Sequence, residues 1–300
     1  MDWATDGPSW PNREHSRFVD VRPHRWHVQE AGAGPTILLL HGAGGATQTW
    51  RRLMPLLAER HHVVAPDLPG QGFSRMGTRQ RCTLRLMAQD IAALCEDQGW
   101  SPDLIVGHSV GGALALELAD HLHPSGVVGI NPALGAFEGI AGWLFPMMAK
   151  LLSMNPFVPL VFSRIATSER RVAELVASTG SEIDDHGIAL YRRLASDRSH
   201  VDGTLAMMAQ WDVEMLAERL PYIDTPTLFL VGEDDGTVPG RVSREAAARM
   251  RNAEYQGFEG RGHLLHEEDP EAVVRAVSAY LDRLAPANGD ASPRGHVSNQ

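Results

Sequence analysis

Six short, almost wholly apolar runs constrain this chain more than any other feature. They cover residues 36–40, 62–65, 104–107, 127–130, 227–231 and 253–258. Between them lie segments with helical spacing, at residues 50–60, 84–98, 109–121, 241–251 and 270–284. A strand that is apolar on both sides must be covered on both faces, and the intervening helices supply that cover. The alternation therefore predicts a parallel sheet sandwiched by helices, an α/β fold. Upstream, residues 17–21 and 26–29 alternate as strands do, around a turn at Arg22-Pro23-His24.

One interval breaks the pattern. From Asn131 to Thr225 the sequence is helical in spacing and rich in Met and aromatic residues, with no strong strand. A structureless loop of that length does not fit a compact domain, so a helical insertion is expected. This divides the chain into an N-terminal extension (1–16), a core (17–135 and 216–285), a helical cap (136–215) and a tail (286–300). The tail is Gly/Pro/Ser/Asn-rich and reads as disordered. Most cap Met and aromatic residues are expected to form the cap's own core. Trp143, Met147, Met208 and Trp211 are the candidates for lining an apolar pocket, since Met adapts to large flat ligands.

Charge narrows the partners. With 37 acidic and 27 basic residues the formal charge is -10, which argues against a phosphate-matching nucleic-acid surface. Two cysteines, Cys82 and Cys95, both read as helical, provide no disulfide framework and fit a reducing compartment. Residues 1–16 carry charges and prolines without the apolar run of a signal peptide. Residues 140–161 are the most apolar stretch, but Lys150, Pro146, Pro156 and Pro159 interrupt it, so no transmembrane segment is expected. A cytoplasmic protein is the expectation.

The chemistry-bearing residues fall at strand ends. Gly107-His108-Ser109-Val110-Gly111 joins a strand directly to a helix. Glycines at both ends of that sharp turn allow close backbone packing and expose Ser109 as a nucleophile above the helix N-terminus. The loop His41-Gly42-Ala43-Gly44-Gly45 follows the run 36–40. Its small residues let backbone N–H groups approach a carbonyl, with Ala43 and Val110 as the two expected oxyanion donors. Its glycines lack the Gly-x-Gly-x-x-Gly spacing and no P-loop lysine follows, so nucleotide binding is not indicated. After the run 227–231 come three competing carboxylates, Glu233, Asp234 and Asp235. After the last run come His263 and, three residues on, His266. That spacing alone does not make a metal site without further ligands, and no metal or cofactor is expected.

With Asp67-Leu68-Pro69-Gly70-Gln71-Gly72-Phe73-Ser74, these motifs resemble the α/β-hydrolase fold over residues 17 to 285. The resemblance implies a Ser–Asp–His order along the chain. It places the acid at Asp235, in the Gly-x-x-Asp-x-x-Val-Pro slot, with Asp234 as runner-up. The position one strand earlier is Asn131-Pro132, which offers no carboxylate. His263 is then the base, oriented by Asp235, and an acyl-enzyme mechanism on Ser109 is expected.

Other segments resemble the magnesium-chelatase accessory proteins encoded with bacteriochlorophyll biosynthesis in phototrophic bacteria. They are Met1-Asp2-Trp3, Trp10-Pro11-Asn12-Arg13, Arg25-Trp26-His27-Val28-Gln29, Asn131-Pro132-Ala133-Leu134, Ser178-Thr179-Gly180-Ser181 and Met207-Met208-Ala209-Gln210-Trp211-Asp212. Where that family more often has Ala-Gly-Ala after the serine, this chain has Val110-Gly111-Gly112, which keeps Gly111 and the donor N–H. The resemblance implies a role in photosynthesis, a small apolar carbonyl substrate or tetrapyrrole intermediate, and magnesium-chelatase subunits as partners. It also implies residues 140–161 as an alternative peripheral contact with the photosynthetic membrane, beside their reading as a buried cap helix. Two other readings keep the same fold. One is a non-catalytic porphyrin- or chelatase-binding protein, and the other a carboxylesterase or C–C bond hydrolase unrelated to pigments.

Overall fold

The computed structural model describes residues 1–135 and 168–284. The candidate pocket residues Trp143 and Met147, and the tail 286–300, lie outside the described residues. Eight strands form one sheet: β1 Ser16–Val21, β2 His24–Ala31, β3 Thr36–Leu40, β4 His62–Pro66, β5 Pro102–His108, β6 Gly126–Ile130, β7 Thr227–Gly232 and β8 Ala253–Phe258. Their order is β1-β2-β4-β3-β5-β6-β7-β8. The six apolar runs are the six parallel strands β3 to β8. The alternating pair β1 and β2 is an antiparallel hairpin, and β2 runs antiparallel to β4.

Each central strand feeds two cores, one per face. Leu38, Leu40, Ile105, Val127, Phe229 and Val231 pack on one side with α3 (Leu84–Gln98) and α4 (Val110–Leu122). Ile37, Leu39, Leu104, Val106, Val128 and Leu230 face the other side, against α2 (Leu53–Ala58) and α11 (Pro270–Leu284). This two-sided burial is the physical reason that these strands lack polar alternation.

Local chemistry sets the helix ends. Thr83 caps α3 through a hydrogen bond from Leu86 N, and Gly99, left-handed at φ 69°, ends it. Cys82 therefore lies just outside the helix, and α3 contains only Cys95. The helical segment expected at 50–60 is shorter than its spacing implied. Thr47–Trp50 is a 3-10 turn and α2 covers only Leu53–Ala58.

Between β6 and β7 the described insertion is helical: α5 Glu169–Ser178, α6 Asp185–Ser196, α7 Arg198–Met208 and α8 Glu214–Arg219. It is tied to the core by polar contacts. The Arg51 guanidinium makes two hydrogen bonds to the Asp184 carboxylate, at 2.8 and 3.1 Å. Beside it, the buried Glu267 carboxyl accepts from Tyr191 of α6 (2.7 Å) and from Thr49 (2.8 Å). The N-terminal segment is also packed down. Trp10 is buried and donates to Thr47 Oγ1, while the Trp3 ring lies edge-on to Phe18 and Phe73.

Backbones pack closely where β5 turns into α4. A Cβ on Gly107 would lie 2.0 Å from the Gly111 carbonyl oxygen, and one on Gly111 would lie 2.1 Å from that of Leu40. Three backbones therefore meet at van der Waals distance with no room for a methyl group. Gly111→Ala is expected to destabilise the protein by about 3 kcal/mol, the upper range for overpacking, measured as a lowered urea midpoint.

Burial pushes the Glu267 carboxyl up to about 7, opposed by its hydrogen bonds from Tyr191 and Thr49. Above its ordinary value the unfolded chain releases this proton while the native chain retains it. Native stability therefore falls as pH rises from about 4.5 to about 7. Glu267→Gln is expected to remove a loss of about 3 kcal/mol. Thermal melts should show its Tm above wild type at pH 8 and close to wild type near pH 4.5.

Candidate active site

Ser109 sits at the junction of β5 and α4 with φ 53° and ψ -117°, a conformation a β-carbon disfavours. It is held by the sheet and the helix together. Ser109 N donates to the Ile130 carbonyl of β6 (3.0 Å), and Ser109 O accepts from Gly112 N (2.9 Å) and Ala133 N (3.0 Å). The strain is thus stabilised by backbone bonds on three elements. Ser109 lies at the first turn of α4, where the helix dipole favours developing negative charge.

The loop after β3 closes over the serine. A Cβ on Gly42 would lie 3.1 Å from Ser109 Cβ and 2.7 Å from His108 Nδ1. His41, fully buried, fixes the loop: its Nδ1–H donates to the Gly42 carbonyl (2.8 Å), and its Nε2 accepts from Leu68 N (2.9 Å). Desolvation by burial lowers its pKa, in keeping with that neutral tautomer. Gly44 N donates to Gln71 Oε1 (2.9 Å), and the Gly44 carbonyl accepts from His200 Nε2 of α7 (3.1 Å). Ala43 lies between these two engaged glycines, half-buried against the main core, and Val110 is the first residue of α4 after the serine.

Of the three competing carboxylates, Asp235 is the one paired with a histidine. Its Oδ2 accepts from His263 Nδ1 at 2.7 Å, and both side chains are buried. Its Oδ1 accepts from Thr237 N (2.6 Å) and Val238 N (2.8 Å). Glu233 turns outward to Tyr255 and Arg244. The runner-up Asp234 donates its backbone N–H to the Arg261 carbonyl, bracing the acid loop against the histidine loop. His266, the rival base, is engaged elsewhere. Its Nε2 meets Thr49 Oγ1 at 2.6 Å, and burial lowers its pKa to about 3.

The sequence reading missed two partners. Asn131 ends β6 in a left-handed conformation (φ 43°), which Asn tolerates better than most residues. Its Oδ1 accepts from Gly232 N (3.1 Å), which fixes the amide so that Nδ2 donates to Asp235 Oδ2 (2.7 Å). The position set aside for lacking a carboxylate thus holds a donor to the carboxylate one strand over. His108 packs its ring against His263 (4.7 Å between centroids) and His266 (4.4 Å). Its Nε2–H donates to the His263 carbonyl at 3.0 Å, and burial holds its pKa well below the ordinary value. The Gly-His-Ser run was the available signal for His108. Asn131 had none beyond its place at a strand end.

The two cap candidates within the described residues are half-buried at the end of α7 and just beyond it. Trp211 packs on the main core, and it is Met207, one residue before Met208, whose Sδ receives Gln71 Nε2 (3.5 Å). Among the described residues, no three His, Cys, Asp or Glu side chains gather in a metal-binding arrangement. Among them, too, no helix is long and apolar enough to cross a membrane.

Asn131→Ala removes the amide donor to Asp235 Oδ2 and leaves that oxygen to His263 alone. Any Ser109-dependent kcat/KM is expected to fall roughly tenfold, the effect of one lost hydrogen bond to a carboxylate, measured by steady-state kinetics beside a thermal melt.

Comparison with known proteins identifies the fold family. Residues 37–276 match the model of an alpha/beta hydrolase family. The chain is 42% identical to the magnesium-chelatase 30 kDa subunit of Rhodobacter capsulatus, over 94% of this chain and all of that protein. It is 28% identical to the 2-hydroxy-6-oxononadienedioate/2-hydroxy-6-oxononatrienedioate hydrolase of Cupriavidus pinatubonensis, over 89% of this chain and 95% of the other. In fold it is similar to a thermophilic esterase from Thermogutta terrifontis, with TM-score 0.72 at 22% identity, covering 90% of this chain and 99% of that one. The chain belongs to the alpha/beta hydrolase family, in which the Rhodobacter magnesium-chelatase 30 kDa subunit is a full-length relative.

Proposed function

We propose that this chain is a serine hydrolase that serves magnesium-tetrapyrrole biosynthesis as a factor associated with magnesium chelatase. The observation that carries the chemistry is the buried 2.7 Å pair of His263 Nδ1 and Asp235 Oδ2 on the same sheet edge as the strained Ser109. What supports the pathway is the 42% identity to the Rhodobacter magnesium-chelatase 30 kDa subunit.

In the proposed reaction His263 Nε2 takes the Ser109 hydroxyl proton as Oγ attacks a substrate carbonyl carbon. Asp235 holds the ring by its Nδ1–H and balances the imidazolium. The Ala43 and Val110 N–H groups stabilise the oxyanion. Collapse expels the leaving group, which takes the proton from His263 and leaves an acyl-enzyme. Water, deprotonated by the same ring, then releases the acid and restores Ser109. On this reading Met208 and Trp211, half-buried at the end of α7 and just beyond it, are the side chains that would meet an apolar carbonyl compound, a tetrapyrrole intermediate among them. Chelatase subunits are the protein partners of this reading, and it needs no metal or cofactor. The proposed location is the cytoplasm, at the periphery of the photosynthetic membrane.

The relative's name also favours a second reading, in which the fold binds a porphyrin or a chelatase subunit without catalysis. One pair of measurements separates the two. Wild type is expected to be labelled by a fluorophosphonate probe, and Ser109→Ala to lose labelling and about 10⁶-fold in turnover while keeping its Tm. Absence of labelling in wild type, together with full restoration of pigment synthesis by Ser109→Ala in a deletion strain, would establish the binding role instead.

A further inference from the structure

The motif Ser178-Thr179-Gly180-Ser181 takes no part in the chemistry above, yet it lies where α5 leads back toward α6 and touches both loops that carry the acid and the base. The Thr179 carbonyl accepts two hydrogen bonds, from His263 N (3.2 Å) and from Gly236 N, the residue after Asp235 (3.1 Å). Ser181 Oγ accepts from Leu264 N at 2.8 Å. Glu182 N donates to Glu268 Oε1 (3.1 Å), and Glu268 Oε2 accepts from Gly262 N (2.9 Å). The three successive amides of Gly262, His263 and Leu264 are therefore each held by this turn or by a carboxylate bound to it.

The approach is as close as backbones allow. Gly180 has φ 78°, and a Cβ there would lie 1.9 Å from the Asp234 carbonyl oxygen. A Cβ on Gly262 would lie 2.2 Å from the Gly180 carbonyl carbon, and one on Gly236 would lie 2.6 Å from the Ser178 carbonyl oxygen. Three glycines from three segments interlock, so displacing one displaces the others.

We propose that Thr179-Gly180-Ser181 is a positioning element for the acid–base pair, in which a carbonyl of the insertion sets the separation between the Asp235 and His263 loops. The inference rests on the reading of that pair as catalytic, and it makes the insertion a structural part of the dyad. Hydrogen bonds from one shared acceptor act as a common reference point for two loops that come from different strands. Displacement of α5 is then transmitted to the His263–Asp235 distance through a rigid turn.

Two variants test this. Ser181→Ala removes one acceptor without adding an atom, and Gly180→Ala forces the turn away from both loops. Each is compared with wild type by thermal melting, by the far-downfield proton resonance of His263 Nδ1–H, and by the rate of fluorophosphonate labelling across pH. Ser181→Ala is expected to slow labelling roughly fivefold to tenfold, and Gly180→Ala about 100-fold. In both, the His263 resonance should shift and the low-pH limb of the labelling profile should move. An unchanged resonance and an unchanged pH profile in a folded Ser181→Ala protein overturn the proposal, even if Gly180→Ala fails to fold. A shifted resonance in variants of a wild type that never labels upholds the positioning role while removing the hydrolase reading. The two conclusions therefore fail separately.

Discussion

The site depends on one steric constraint, the contact of three backbones where β5 turns into α4. Gly107, Gly111 and the Leu40 carbonyl leave no space for side chains, which brings the β3 loop and the helix start together. The left-handed turn of Ser109 is a consequence, since only a sharp reversal lets α4 begin so near the sheet. The strain is sustained because Ile130, Gly112 and Ala133 each hydrogen-bond the Ser109 backbone. Remove the close approach and Ser109, which is buried, loses its place beside Gly42 of the β3 loop. Stability and the geometry at Ser109 are therefore set by the same few ångströms of backbone.

The parallel sheet was legible because two-sided burial writes itself into sequence as apolar runs, and β3 matches its run end to end. Strand β8 also matches in extent, but as an edge strand of mixed composition it is only partly buried. The strand-to-helix turn at Ser109 was legible for a similar reason, since glycines at fixed spacing have few other uses. Asp235 was harder to read. Three adjacent carboxylates differ only in where the loop aims them, and composition says nothing about aim. Asn131 and Thr179 stood within segments noted for their resemblance, but their roles were not legible. One acts through a side chain placed by a neighbouring strand, the other through a backbone carbonyl that any residue carries. The helix over 84–98 has the bounds its spacing implies, with Thr83 as its cap and Cys82 outside it, whereas the segment expected at 50–60 reduces to a 3-10 turn and the short α2.

The described insertion is joined to the core by apolar packing, Ala206, Met207, Val213 and Leu216 on the main core and Leu190 and Leu194 beside Trp10 and Phe73, and by polar contacts that differ in character. Arg51 and Asp184 form a partly exposed ion pair of the kind that contributes little on its own. Tyr191, Thr49 and Glu267 form a buried cluster whose carboxyl is disfavoured as an anion by its surroundings. His200 bridges more directly, accepting from Gly72 N and donating to the Gly44 carbonyl, so that α7 braces the loop that carries Ala43. Gly70 and Gly203 pack backbone to backbone beside it. Helices that sequence periodicity describes only as a lid are thus wired into the walls of the site.

The buried histidines around Ser109 have a consequence for the flow of protons. His41, His108, His200 and His266 are all held toward the uncharged form by burial. Of these, His108 packs its ring against both His263 and His266 and donates to the His263 carbonyl as a neutral imidazole. In the reaction proposed above, a proton lifted from Ser109 would find no competing reservoir on His108 or His266, and would stay on His263 until a leaving group or water claimed it. The inert imidazoles beside it would make the site a one-proton device.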